Sequence, residues 1–196
     1  MKYALLCIAA AGFLAAGNAQ MSLGLDVSSS LQNYSQKVDN YPQSNNSHSD
    51  FTLSAGPIFR IPLEGDRELD PYAELIFSNS NNAYGYSSQL GFLFGCGYFY
   101  QMAHVGILTF SLGPDLSFDF YLPPSNSGSD YSHFDINAGV PLNFDFDFSR
   151  KLSIRIRSWA FTIGYSHDKA TGTSNDIFNY SLQSILFPSF TFFYTF

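Results

Sequence analysis

Phe187-Pro188-Ser189-Phe190-Thr191-Phe192-Phe193-Tyr194-Thr195-Phe196 closes the chain. Counting back by twos from Phe196 gives Tyr194, Phe192 and Phe190, an unbroken aromatic row on one face of an extended strand. In water such a row has to be covered by a second layer. The rest of the chain supplies about seven more strands of the same alternating kind and no segment that would cover them.

Upstream, the N-terminus reads Met1-Lys2-Tyr3, then an apolar run from Ala4 to Ala16, then Gly17-Asn18-Ala19. A positive start, a short apolar stretch and a small-x-small end make residues 1–19 a secretory signal peptide cleaved after Ala19. The apolar run is too short to cross a bilayer as a helix, and no later apolar segment reaches the ~20 residues a membrane helix needs. Cys7 falls in the leader, which leaves Cys96 alone in residues 20–196 and excludes an internal disulfide framework. Cys96 lies between Phe94 and Tyr98 on an apolar face and reads as a small apolar side chain. Residues 20–196 suit one domain. A net charge of −7 with no Lys/Arg cluster excludes nucleic acid as a partner. Aromatic residues at 18% against 13% charged are unusual for a soluble domain, but natural where lipid-facing and lumen-facing residues alternate.

The alternation recurs along the chain. Strand one, about Ser22 to Leu31, sets Leu23, Leu25 and Val27 against Gly24, Asp26 and Ser28. Strand two, about Phe51 to Ile61, sets Leu53 and Phe59 against Ser54 and Arg60; strand three, about Asp70 to Ser78, sets Leu75 and Phe77 against Tyr72 and Glu74. Strand four, about Tyr84 to Tyr100, opposes an apolar row with Gly91, Gly95 and Gly97, which make room for large neighbours. Strand five, Leu108 to Leu122, alternates most regularly, and no helix makes that pattern. Pro114 inside it lacks a ladder donor, which predicts a local bend. Strand six, about Phe134 to Phe148, and strand seven, from Leu152, form a hairpin centred on Arg150. That register pairs Ile156 with Phe144 on the apolar side and Arg155 with Asp145 on the polar side. Carried outward, it sets His133 opposite His167. Trp159, Phe161, Ile163 and Tyr165 take inward parity, and two arrangements satisfy them: they fill the lumen over Gly139, or a bulge near Ser158 turns them to lipid. Strand eight runs from about Ile177 to Phe196.

Short connections follow strands two, four and six. Longer polar ones follow strands one, three, five and seven: Asn33–Ser49, Asn79–Ala83, Pro123–Ser129 and Ser166–Asp176. Short turns at one end and long loops at the other, with an even strand number, are the outer-membrane pattern. Lipid forbids an open sheet edge, so the sheet must close. The fold class is therefore all-β: an antiparallel up-and-down transmembrane β-barrel of about eight strands, with its address the cell outer membrane. The strands exceed the ~9–11 residues a crossing needs, so some project as a paired collar. The leader, the rhythm of four loops and three turns, and the terminal aromatic row resemble the eight-stranded outer-membrane barrels of the OmpA and OmpX kind. The resemblance covers residues 20–196 and rests on pattern; no peptidoglycan-binding domain follows the barrel. It implies that Phe196, Tyr194, Phe192 and Phe190 are read by the barrel assembly machinery.

The polar faces carry Asp26, Glu74, Asp115, Asp119, Asp135, Asp145 and Asp147 against Arg60, Arg155 and Arg157. Two readings follow: a cation-selective path, or a plug of ion pairs. Eight strands leave an interior just wide enough for side chains, which favours the plug. Arg155, Asp145, Arg157, Arg60, Glu74, Asp115 and Asp119 are its expected members. An enzyme reading rests on Ser-His pairs at outer strand ends, with His133, His167 and Asp168 as candidate groups for acyl transfer on lipid. No spacing matches a lipase elbow, and no metal-ligand spacing or phosphate-cradling glycine loop stands out, so no cofactor or metal is expected. A soluble exported ligand-binding barrel is a further alternative, opposed by the many aspartates on the minor faces. The expected role is structural or surface-interacting, with lipid around the wall and any surface partner at the long loops.

Overall fold

The computed structural model describes residues 21–37, 45–82, 85–123, 132–170, 173–181 and 188–196. The expected leader lies outside the described residues, as do parts of the expected outer loops and residues 182–187, which the sequence placed in strand eight.

Ten elements make the wall: β1 (Ser22–Lys37), β2 (Asn45–Leu63), β3 (Arg67–Asn82), β4 (Gly85–Val105), β5 (Leu108–Leu112), β6 (Asp115–Tyr121), β7 (Ser132–Asp147), β8 (Leu152–Ala170), β9 (Thr173–Ser181) and β10 (Ser189–Thr195). β5 and β6 both pair with β4 and β7, and β9 and β10 both pair with β8, so the ring has eight wall strands, all antiparallel. β10 closes onto β1 in register from Ser22↔Thr195 to Val27↔Phe190. Phe196 N donates to Met21 O at 3.2 Å, and the hydroxyls of Ser22 and Thr195 meet at 2.8 Å. Closure satisfies backbone groups that lipid would leave orphaned.

Which face is which follows from exposure. Leu25, Leu75, Leu116 and Phe192 are 52%, 54%, 58% and 55% exposed, while Asp26, Glu74, Asp115 and Thr191, one residue away on the same strands, are 3%, 7%, 3% and 0% exposed. The barrel is apolar outside and polar inside, the inverse of a soluble ligand-binding barrel. In water each such side chain would forgo about 1.5–3 kcal/mol of burial; against hydrocarbon the penalty vanishes. At the end carrying the short turns, Tyr98 meets Tyr100 and Tyr194 meets Phe196 edge-on, with ring centroids 5.1 and 5.3 Å apart. Arg67 Nη1 donates to the Tyr98 hydroxyl at 3.3 Å, and Lys151 Nζ lies 5.8 Å over the Tyr194 ring. Amphipathic rings with basic neighbours are what a membrane–water boundary selects.

The lower hairpin has the register expected from its two faces: Phe144↔Ile156 and Asp145↔Arg155. At Pro114 the wall strand breaks between β5 and β6, and Tyr98 N instead donates to Pro114 O at 2.9 Å. The glycines of β4 make the expected room: a Cβ on Gly95 would run into the Tyr72 ring, and one on Gly97 into Phe99.

Two expectations are corrected. Three of the four polar stretches read as long loops are largely strand among the described residues, while 124–129 of the remaining one lie outside them. β1 continues to Lys37 and β2 begins at Asn45; β3 and β4 leave only 83–84 between them, and β8 and β9 only 171–172. Polar residues do not oppose backbone pairing outside hydrocarbon, so the ladder continues as a collar. Similarly, the short connection expected directly after Tyr100 comes later: β4 passes a bulge between Gln101 and Ala103, runs on to Val105 and turns at Gly106, in the left-handed region with φ 63°. The second correction concerns the upper part of β8. Pairing passes from Pro141↔Trp159 to Val140↔Phe161, so Ala160 is an extra residue. Pro141 has no N–H for the ladder, which is where a bulge is tolerated. Each of the two arrangements open at Trp159–Tyr165 then holds on one side of Ala160: Trp159 packs inside against Gly139, while Phe161 and Ile163 turn outward.

Candidate functional site

The most heavily charged part of the molecule lies in the lumen near the short turns. Arg155 on β8 is fully buried. Its Nε and Nη2 each donate to a carboxylate oxygen of Asp145 on β7 at 2.9 Å, a bidentate fork. Nη1 reaches Asp70 and Nη2 also reaches Glu68, both on β3. Four steps around the eight-strand ring separate β8 from β3, so this one guanidinium ties opposite walls together. Arg60 on β2 adds a bond to Asp145, and its Nε lies 3.4 Å from Glu68.

Arg157 is the next inward residue on β8. Its Nε donates to Asn143 Oδ1 at 3.2 Å, and its Nη1 lies 3.7 Å from Asp115, which accepts from the Tyr72 hydroxyl at 2.7 Å. Aromatic faces complete the coordination. Arg60 stands 3.9 Å over Phe193, Arg155 lies 5.4 Å from Phe193 and 5.6 Å from Phe99, and Arg157 lies 5.3 Å from Phe99. Desolvated cation–π contacts contribute about 2 kcal/mol or more each.

Of the expected network, Arg155, Asp145, Arg157, Arg60 and Asp115 come together. Glu74 and Asp119 do not join them. Glu74 sits higher, accepting from Ser54 Oγ at 2.5 Å; Asp119 faces Asp135 across the β6–β7 pair and accepts from Asn137 at 3.3 Å. The sequence reading missed Glu68, Asp70, Phe99 and Phe193. The signal was present for the first two: both share parity with Tyr72 and Glu74. Phe99 and Phe193 also carry the inward parity of their strands, and their rings fill the space that Gly97 and Gly24 leave.

Beyond the plug lies a partly open polar cavity of about 240 Å³. Asp26, Glu74, Arg157, Trp159, Ser54 and Ser117 are among its walls. Thr191 Oγ1 donates to Asp26 at 2.5 Å.

The acyl-transfer candidates fall on different sides of the wall. The bulge at Ala160 sets His133 opposite Asp168 and Phe134 opposite His167, which corrects the expected His133–His167 pairing. His133 lies inside, with Nε2 3.2 Å from Asp135 and its ring 4.8 Å from Tyr121. His167 lies outside, stacked on Phe134 at 5.1 Å, with Nδ1 2.7 Å from Asp176. Tyr165 also donates to Asp176, at 2.8 Å. Asp176, on β9, is exposed. Its carboxyl is held below the usual value of 3.8 by the hydrogen bond to His167 first and then by that from Tyr165. The four terminal aromatics, Phe190, Phe192, Tyr194 and Phe196, project outward.

An apolar exterior, a closed antiparallel ring and an ion-paired lumen define the class: a transmembrane β-barrel. No family model matches the chain, and no curated protein matches it. Among solved structures it is similar to the Neisserial surface protein A, NspA, at 12% identity, covering 89% of this chain and 94% of that one with a TM-score of 0.46. It is similar to the transport unit of the autotransporter AIDA-I from Escherichia coli at 12% identity, covering 96% and 97% with a TM-score of 0.33. An outer membrane channel from Pseudomonas putida F1 follows at 10% identity, covering 92% and 97% with a TM-score of 0.31. These are similarities of shape alone.

Proposed function

We propose that this chain is an integral barrel of the cell outer membrane, exported by its leader, closed to ions, and serving a structural or surface-interaction role rather than catalysis. One observation carries the closed lumen: Arg155, fully buried, spans from β8 to Asp70 and Glu68 on the opposite wall. A side chain fixed on both walls is what a closed lumen at that level requires. The collar built by β1, β2, β8 and β9 offers paired polar edges to a partner outside. Phe196 and the row behind it suit recognition by the assembly machinery.

Two measurements test the reading. The refolded barrel in planar bilayers should show no steady conductance steps, while Arg155→Ala should introduce them; steady steps from the unaltered protein overturn the closed lumen. In cells the protein should sediment with the outer membrane and migrate differently on gels with and without heating. Recovery in the soluble periplasmic fraction overturns the address.

A further inference from the structure

We propose that the turn between β7 and β8 binds an anionic glycerophospholipid, with the lipid phosphate on Arg150 and Lys151 and the acyl chains on the apolar residues beside them. This rests on the reading of a membrane-embedded barrel and adds which lipid sits at the short-turn end.

Three observations meet at the turn. First, its cations are unpaired. Arg150 and Lys151 are both exposed, and among the described residues neither forms an ion pair, although the chain carries a net charge of −7. Arg60, Arg155 and Arg157, by contrast, all meet carboxylates in the lumen. Two adjacent like charges repel, and an anion between them offsets that repulsion. Second, the turn is held in place. Ser149 Oγ accepts from Lys151 N at 3.2 Å and from Leu152 N at 3.1 Å, and Lys151 Nζ lies 5.8 Å over the Tyr194 ring. That contact keeps the ammonium at the level of the boundary aromatics, where lipid headgroups lie. Third, apolar side chains flank the pair. Phe148 and Leu152 close the same hairpin at 62% and 54% exposure. The neighbouring tip between β4 and β5, joined to it where Asp147 N donates to Ile107 O at 2.7 Å, adds Val105 at 75% and Ile107 at 55%.

These neighbours select the ligand. A soluble anion would satisfy the two cations and leave four large apolar side chains in water. A zwitterionic lipid would cover the apolar residues but bring its own ammonium to the cations. An anionic lipid answers both. The apolar flank is also continuous with the lipid-facing wall, since Phe146 and Ile154, the next residues on that face, pair directly above the turn.

The test uses the full-length barrel refolded into phosphatidylcholine vesicles. These carry a trace of either phosphatidylglycerol or phosphatidylcholine with the same photoactivatable group on one acyl chain, and peptide mass spectrometry maps the crosslinks. Phosphatidylglycerol should label segments 105–108 and 148–152 at least about fivefold more than phosphatidylcholine does. Wall residues around Leu116 should take both lipids equally. Arg150→Gln combined with Lys151→Gln should bring the two lipids to parity at the turn. So should about 1 M salt, where the screening length falls to ~3 Å; this arm needs no variant and decides even if the double variant does not fold. Equal labelling of the turn by the two lipids overturns the proposal, as does a preference that survives the double variant or the salt. Labelling of the wall with none at the turn also overturns it, and points to a soluble acidic partner for the cations. An unlabelled wall overturns the membrane reading itself, and the proposal with it.

Discussion

At the scale of single residues, Arg155 shows how a charge survives inside a barrel. Desolvating a guanidinium is costly, and its attraction to carboxylates offsets that only when the geometry is good and further bonds complete the site. Here a bidentate fork to Asp145, two further carboxylates and two aromatic faces surround it. Arg155→Ala is expected to destabilise the barrel by about 3–5 kcal/mol, because buried Asp70 and Asp145 lose their bonded guanidinium and keep only Arg157 at 3.6 Å and Arg60, respectively. Equilibrium urea unfolding in lipid vesicles checks this; a loss below ~1 kcal/mol would mean that the plug carries little of the stability. Asp176 behaves differently because it is exposed. Its folded value is depressed, so the stabilisation from His167 and Tyr165 is present above the ordinary aspartate value and is lost as pH falls through the lower, folded one. The difference in melting temperature between the natural protein and Asp176→Asn should therefore be constant near neutrality and vanish in strong acid. A difference that grows on acidification would contradict the sign.

At the scale of elements, β8 carries two phases in one strand. Below Ala160, Arg155 and Arg157 face the lumen by odd number; above it, Phe161 and Ile163, also odd, face lipid. The side-chain period of two makes a one-residue insertion equivalent to turning the strand over. Deleting Ala160 should remove the bulge without turning any side chain: Phe161 then follows Trp159 directly, so Trp159 stays in the lumen, Phe161 and Ile163 stay toward lipid, and the pairs Pro141↔Trp159 and Val140↔Phe161 become consecutive. The expected outcome is retention of the folded, heat-modifiable form; its loss would show that the bulge itself, and not only the facing of the residues around it, is needed for assembly. β4 has the reverse problem, a lumen face that must stay empty. Gly95 leaves the space that Tyr72 fills, and Tyr72 in turn holds Asp115 beside Arg157. Gly95→Val is expected to cost about 1–3 kcal/mol through displacement of that ring, read from the same unfolding measurement.

At the scale of the whole molecule, sidedness is the property on which the membrane reading rests. Leu116 and Ser117 are neighbours on β6, one at 58% exposure and the other buried at 7%. Leu116→Arg should cost about 2–4 kcal/mol if that position lies near the bilayer midplane, whereas Ser117→Ala on the lumen side should be far milder. Equal effects would mean that the two faces do not meet different solvents. The collar adds a second consequence. Where the strands pass beyond hydrocarbon the ladder continues through polar pairs such as Gln32↔Asp50 and Lys37↔Asn45, so β1 and β2 stay paired to the last described residues of their hairpin.

Much of this was written in the order of residues. Alternation by twos does not depend on tertiary context, so the strands, the polar and apolar faces, the closing aromatic row and the Arg155–Asp145 pair could be read from the chain. The bend at Pro114 was legible for the same local reason, a missing donor. What only the closed barrel decided were relations across the ring. Residues far apart in sequence meet in the lumen because curvature brings opposite walls within one side-chain length, which is how Glu68 and Asp70 came to share Arg155. The extra residue at Ala160 was equally hidden: strand alternation tolerates either phase, and only pairing against Pro141, which cannot donate, selects where the phase changes. Strand ends escaped as well, since polar composition marks where hydrocarbon stops, while backbone pairing stops only where the chain must turn.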